Sequence, residues 1–237
     1  MKISRSIFLW VSCLLFAGNI SAQAQENLLE LTRRVTKTAE VTKFKSKNVH
    51  LKYIQTSTTR NRMDLPESTE VEIKMKGDKQ IMLSQQMDVY MDGKEAYVVY
   101  KEARKIFKMK DIQAVKSQMS NSNMTKAMEL LWETAKITEI TPPQYKTARI
   151  LKIIPSKEMQ EVSKVARVDI VFDRNSQKLQ KITMFMEEKS YLRKMEFKYL
   201  IIEENDQIEV FDSARSKIYD ASQKLLKKYK GYTIQEV

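Results

Sequence analysis

The sequence predicts an α+β protein, in which an incomplete antiparallel β-barrel, or curved sheet, of about eleven strands has helices covering its concave face. Apolar and polar residues alternate through 49–109 and again through 147–211, and this period of two is typical of half-buried strands. Turn signals at Gly77-Asp78 and Asp92-Gly93 join neighbouring strands as antiparallel hairpins. Apolar residues at helical spacing precede the first block of strands, separate the two blocks and follow the second.

Residues 1–24 are predicted to form a cleaved secretory signal peptide. Basic residues without an acid precede an apolar run over 7–17, and Ala22-Gln23-Ala24 places small residues at the two positions that a signal peptidase recognises. The remaining residues, 25–237, are predicted to form a single domain with a sizeable core.

The first block of the predicted domain begins with a helix. Leu28, Leu31 and Val35 recur at helical spacing within residues 27–44. Six strands are predicted after this helix, at 49–56, 71–75, 80–85, 87–91, 96–100 and 105–109.

An insert between the two blocks is predicted to be helical and to end at Pro142-Pro143. Met124, Met128, Leu131 and Trp132 follow helical spacing. Two interpretations stay open for these four residues. They form either a lid that a lipid tail displaces or a helix packed permanently on the sheet, which is the commoner arrangement for an amphipathic helix.

The second block is predicted to hold five strands and a final helix. The helix is expected over 212–230, where Asp212 or Ser213 provides a cap and Gly231 ends the helix. Lysines in its last turns complement the helix dipole. The five strands are predicted at 147–154, 165–173, 178–186, 190–202 and 207–211.

One face of the predicted sheet is apolar and rich in methionine, of which the chain has 14. The flexible, polarizable thioether of methionine repacks readily around guests of different shape. We therefore predict an apolar groove, while the alternative that these are ordinary core residues stays open. The predicted groove residues are Met87, Val89, Met91, Val168, Ile170, Phe172, Met184, Met186, Met195, Phe197 and Tyr199.

Three segments, in their order along the chain, resemble a known family. They are the alternating strand Val49–Thr56, which ends in Gln-Thr, the Asp-Gly hairpin Met87–Tyr100 with its aromatic second strand, and the strand Ile150–Pro155. Together with the order of helices and strands over residues 28–211, these segments resemble the LolA family of periplasmic lipoprotein carriers.

The resemblance implies a periplasmic carrier that binds lipoprotein acyl chains, or another lipid, in the groove. Such a carrier takes its cargo from an inner-membrane donor and delivers it to an outer-membrane acceptor. The resemblance also favours the lid interpretation of the insert. One departure concerns the latch: where family members have an arginine that holds the lid helices shut, this sequence has Lys74, Lys76 and Lys79.

Catalytic, metal and nucleic-acid sites are not predicted. Cys13, the only cysteine, lies in the signal, and His50, the only histidine, lies in the polar row of its strand. A catalytic triad, a zinc site and a thiol nucleophile therefore lack their residues, and no cofactor is expected. The net charge of +12 is spread over outward positions without a compact basic and aromatic motif, so nucleic acid is not an expected partner.

Two other functions stay open from the sequence. The first is a non-catalytic envelope scaffold or protein-binding module on the same fold. It would bind a partner protein through the helix at 212–230. The second is a hydrolase whose carboxylates converge from distant strands, an arrangement that sequence spacing does not reveal.

Overall fold

The computed structural model describes residues 28–36, 48–61, 64–109, 131–140, 142, 144–204 and 207–237. The predicted signal peptide, Met124 and Met128 lie outside the described residues.

In the described part of the chain, twelve strands form one open, curved and mostly antiparallel sheet. Its spatial order is β12-β6-β5-β4-β3-β2-β1-β11-β10-β9-β8-β7, and among these pairs only that of β12 with β6 is parallel. The two halves of the chain meet at the centre, where the long strands β1 and β11 pair. The strands are β1 (Val49–Thr59), β2 (Glu67–Lys76), β3 (Lys79–Ser84), β4 (Met87–Met91), β5 (Ala96–Tyr100), β6 (Lys105–Met109), β7 (Lys136–Glu139), β8 (Ala148–Ile154), β9 (Val165–Asp173), β10 (Leu179–Met186), β11 (Leu192–Glu204) and β12 (Thr233–Glu236).

Three α-helical segments accompany the sheet in the described part of the chain. They are α1 (28–36), the described turn α2 (131–134) and α3 (Lys157–Ser163). In α3, the Ser156 side chain caps the start by accepting a hydrogen bond from the Met159 N–H, which satisfies an otherwise orphaned donor.

Ten of the eleven predicted strands are confirmed. The predicted strand at 207–211 is wrong: β11 ends at Glu204, and Ile208 and Phe211 are buried without a ladder partner. The strand β7 was not predicted. Because it has four residues and a single buried apolar side chain, Ile137, it is too short to show a period of two.

The predicted helix over 212–230 is also wrong. This segment instead forms two short 3₁₀ helices, Ala214–Lys217 and Lys227–Tyr229. Between them, one carboxylate oxygen of Asp220 accepts hydrogen bonds from the backbone N–H groups of Ser222 and Lys224, a local arrangement that competes with helix formation.

Buried apolar side chains pack the C-terminal segment against the sheet. The side chains of Ile218 and Tyr229 pack with those of Tyr97 and Ile106, on one face of β3–β6. Gly231 adopts a positive φ of 84°, which glycine tolerates, at the turn that leads into β12. The helical spacing of these apolar residues therefore reflects contacts with the sheet and not an α-helix.

The Asp92 carboxylate joins the β4–β5 turn to the C-terminal segment. Its Oδ1 accepts hydrogen bonds from the N–H groups of Lys94 (2.7 Å) and Glu95 (2.8 Å), and its Oδ2 accepts one from Ala214 (2.7 Å). Burial opposes ionisation, but these three donors outweigh burial and hold the pKa of Asp92 below its ordinary value.

Replacing Asp92 by alanine should lower the free energy of unfolding by about 3 kcal/mol at pH 7, because three N–H groups lose a charged acceptor. Since the pKa of Asp92 is lower in the folded chain than in the unfolded one, its contribution is complete above about pH 4 and is lost as the pH falls through the lowered value. Urea unfolding at pH 7 and pH 3 should show the difference between wild type and variant shrinking in acid.

A matched control is Asp173→Ala. The Asp173 carboxylate accepts N–H bonds from Asn175 and Ser176 within its own exposed turn and joins no second segment. Asp173→Ala should therefore lower the free energy of unfolding by less than Asp92→Ala does. An equal decrease in both variants would contradict the role of Asp92 in joining two segments.

Candidate functional site

The strand methionines of the described chain all lie on one face of the sheet. Residues that are directly paired between antiparallel strands share a face, and side chains alternate between faces along each strand. The pairs Met184↔Met195 and Met82↔Val89 place members of both halves on this face. We call it the methionine face; its methionines are Met75, Met82, Met87, Met91, Met109, Met184, Met186 and Met195.

The sheet places all of the predicted groove residues on the methionine face, in two groups: those of β4 are separated from those of β9–β11 by β3, β2 and β1. Val168 pairs with Met184, and Ile170 pairs with Ile182, which in turn pairs with Phe197. Tyr199 lies two positions farther along β11 and pairs with Tyr53 of β1. Whether these residues bind a lipid stays a prediction.

At the β7–β10 end, the protein's own side chains fill the methionine face. Leu31 and Val35 of α1 share a core cluster with Phe172, Ile170 and Val168. All five side chains are at most 5% exposed. Three of the predicted groove residues, Val168, Ile170 and Phe172, are therefore closed off in this structure.

The two described residues of the predicted lid belong to the same cluster. Leu131 is 5% exposed and Trp132 is 3% exposed. This arrangement corresponds to the second interpretation of the insert, a helix packed on the sheet. That helices cover the rest of the methionine face stays a prediction.

At the centre of the methionine face, the side chains are only half-buried. We call this region the central strip. The Tyr53 ring lies 5.9 Å from the rings of both Phe197 and Tyr199, in tilted arrangements that are favourable for aromatic pairs. Burial raises the pKa of Tyr53 and of Tyr199, so both phenols are neutral at physiological pH. The central strip comprises Tyr53, Ile182, Met184, Met186, Met195, Phe197 and Tyr199.

Toward the β6 edge, the methionine face forms an open hollow of about 520 Å³. Tyr100 and Phe107 form one wall, with an edge-to-face ring contact at 5.5 Å. The prediction from sequence missed the hollow. The alternation of β5 and β6 could have indicated Val98 and Phe107, but no local signal places Val237 there. The lining residues are Val98, Tyr100, Ala103, Lys105, Phe107, Met109 and Val237.

The opposite face of the central strands is charged. The His50 ring bridges three strands, with Nε2 2.9 Å from Glu72 Oε1 and Nδ1 3.2 Å from Glu203 Oε1. Burial acts to raise the pKa of Glu72, but hydrogen bonds from Lys74 and His50 outweigh it and lower that pKa. His50 therefore takes part in a cross-strand hydrogen-bond network with charged side chains, on the face of the central strands opposite the central strip.

Metal-binding clusters and membrane-spanning helices were also sought in the described residues. No three histidine, cysteine, aspartate or glutamate side chains converge there in a way that could hold a metal ion. No helix in that part of the chain is both long enough and apolar enough to cross a bilayer.

Comparisons with known proteins find solved structures whose fold is similar to that of this chain. No protein-family model and no curated protein matches the sequence. The structural neighbours include a LolA superfamily protein. That protein, from Nitrosomonas europaea, has a TM-score of 0.30 and 8% identity, over 74% of this chain and 94% of its own.

Two other solved structures have higher TM-scores than this LolA superfamily protein. The lipoprotein LppX of Mycobacterium tuberculosis has a TM-score of 0.47 and 10% identity, over 78% of this chain and 99% of its own. An uncharacterized conserved protein of Thermus thermophilus has a TM-score of 0.42 and 11% identity, over 92% of this chain and 99% of its own.

Proposed function

We propose that this protein is a lipid carrier without catalytic activity. It binds the acyl chains of lipoproteins, or of another lipid, along the central strip of the methionine face. It moves them through the periplasm, from an inner-membrane donor to an outer-membrane acceptor.

The central strip is the observation that supports this proposal. Its methionine and aromatic side chains are half-buried, so a bound chain would remove their remaining apolar surface from water. Burial of apolar surface contributes about 0.8 kcal/mol for each methylene group of the guest. Methionine side chains at Met184, Met186 and Met195 can repack around chains of different length.

The hollow at the β6 edge extends the same surface. Its volume of about 520 Å³ falls within the range of small-molecule pockets. Because Val98 of the hollow pairs with Val89 of β4, and Val89 pairs with Met82, the hollow lies on the same face of the sheet as the central strip, with the buried Val89 between them.

Release follows from the same physics. A chain held only by apolar contacts has no covalent bond to break, so an acceptor with a larger apolar groove can remove it without a nucleotide. Because the side chains of α1, Leu131 and Trp132 fill the face over β8 and β9, the central strip and the hollow are the two surfaces proposed to bind the chain.

Native mass spectrometry of protein purified from the periplasm tests this function. We expect mass additions that match the masses of lipids. We also expect the protein to bind an environment-sensitive dye, and to bind more of it after delipidation. Protein that carries no lipid and binds no dye before or after delipidation would contradict the proposal.

A second candidate function, a protein-binding module, is favoured by exposed apolar side chains on two loops and on α3 at one end of the sheet. Leu65, Val162 and Tyr191 are 87%, 80% and 71% exposed. Arg60 holds the two loops together by donating hydrogen bonds to the backbone carbonyls of Glu187 and Ser190. The version of this function that depended on a C-terminal helix loses its basis, because the segment forms two short 3₁₀ helices and buries Ile218 and Tyr229 against the sheet.

The two candidates respond differently to one variant. Leu65→Ser combined with Tyr191→Ser removes exposed apolar surface from the β1–β2 and β10–β11 loops, outside the central strip. A carrier should keep its lipid content in this variant, whereas a protein-binding module should lose its cellular function without any change in bound lipid.

A further inference from the structure

We propose that the central strip selects acyl chains that are esterified, through a group of polar side chains set into the methionine face. This inference rests on the proposed function and specifies its substrate class. We call the group the polar island; it comprises Tyr53, Gln55, Ser57, Thr69 and Tyr199.

The strand register makes the polar island contiguous. Tyr53 pairs with Tyr199, and Gln55 pairs with Thr69. Directly opposed side chains have Cβ atoms about 5 Å apart. Ser57 lies one step farther along the same face of β1. The five polar groups therefore lie side by side over β2, β1 and β11.

Apolar side chains border the polar island on β1, β2 and β11, and Glu67 borders it next to Ser57. Leu51 and Val71 are buried beside Tyr53, and Phe197 pairs with Gln55. All five island side chains are half-buried. A hydroxyl or amide in such surroundings costs free energy unless it forms a hydrogen bond.

Within the described chain, none of the five island side chains forms a hydrogen bond to another residue. The other face of β1 is different: His50 is paired with Glu72, Lys52 with Glu70 at 2.8 Å, and Thr56 with Ser68 at 2.9 Å. The five polar groups of the island are therefore available to a ligand.

The chemistry of the polar island favours an ester. Two phenols, two hydroxyls and an amide supply N–H and O–H donors, and an ester carbonyl is an acceptor without a donor of its own. The island contains no lysine or arginine. Glu67, which pairs with Ser57 on the same face, would repel the carboxylate of a free fatty acid.

The test compares three ligands that differ only near the carbonyl group: monooleoylglycerol, its ether analogue without the carbonyl, and oleate. Displacement of an environment-sensitive dye from delipidated protein gives each Kd. We expect the wild type to bind the ester about ten-fold more tightly than the ether, as one or two net hydrogen bonds allow, and to bind oleate no better than the ether.

The variant Tyr53→Phe with Tyr199→Phe keeps both rings and removes both hydroxyls. In this variant the ratio of the Kd of the ether to the Kd of the ester should fall from about ten to about one. Tyr145→Phe, at an exposed tyrosine before β8, which β9 and β10 separate from β11, is the matched control and should keep the preference. Thermal melts verify that all variants are folded.

Each outcome decides the inference. Equal binding of ester and ether by the wild type, or an ester preference that survives in the double variant, overturns it while leaving a lipid carrier in place. If no lipid displaces the dye from the wild type, the proposed function fails and the inference fails with it. Where the ester preference is found, the Kd of a peptide with a diacylglyceryl cysteine is compared with the Kd of free diacylglycerol. The tighter ligand shows whether the ester comes from a lipoprotein or from a free lipid.

Discussion

Replacing Met195 by glutamate is expected to weaken acyl-chain binding about a hundred-fold while leaving the protein folded. Met195 lies in the middle of the central strip, paired with Met184. A bound chain would strip water from the new carboxylate, and burying an unpaired charge or forcing its protonation costs several kcal/mol, of which about 3 kcal/mol corresponds to this change in Kd.

The unliganded protein should tolerate this change. Because Met195 is half-buried, the carboxylate can reach water when no lipid is bound, and the loss of stability should be about 1 kcal/mol. Dye displacement gives the Kd, and urea unfolding gives the stability.

Lys198→Gln is the matched control for Met195→Glu. Both substitutions lower the net charge by one unit, on the same strand, but Lys198 lies on the opposite face and is exposed. Lipid binding by this control should equal that of the wild type. If both variants lose binding equally, electrostatic attraction to the whole protein, and not the central strip, holds the lipid.

Replacing Trp132 by alanine is expected to lower the free energy of unfolding by about 3–5 kcal/mol. Trp132 is 3% exposed and packs with Leu31, Phe172 and other residues of the cluster at the β7–β10 end. Removing the indole leaves a cavity that the surrounding strands cannot fill. Urea unfolding followed by far-ultraviolet circular dichroism measures the loss.

This substitution also separates the two interpretations of the insert. A side chain that a lipid displaces would change Kd and leave stability nearly unaltered, whereas a core side chain changes stability first. Tyr145→Ala removes an exposed aromatic ring and serves as the control, with an expected effect on stability within about 0.5 kcal/mol. A stable Trp132→Ala protein with altered lipid binding would restore the lid interpretation.

The sequence alone determined most of the sheet and the composition of its methionine face. Alternation in Met87–Met91 or in Val165–Asp173 follows from the backbone, which turns successive side chains to opposite faces wherever a strand forms. Hairpin signals such as Asp92-Gly93 are equally local. For this reason all predicted groove residues lie on one face, even though they come from both halves of the chain.

Only the tertiary structure decided which part of that face is filled and which is open. Phe172 and Phe197 are both aromatic and alternate in the same way, yet Phe172 is fully buried and Phe197 is half-buried. The difference comes from α1 and Trp132, which are distant in sequence and pack at one end of the sheet. Likewise, Ile218 and Tyr229 have helical spacing, but burial against β3–β6 outweighs local propensity. Local patterns specify the direction of a side chain, whereas the residues that cover it come from elsewhere in the chain.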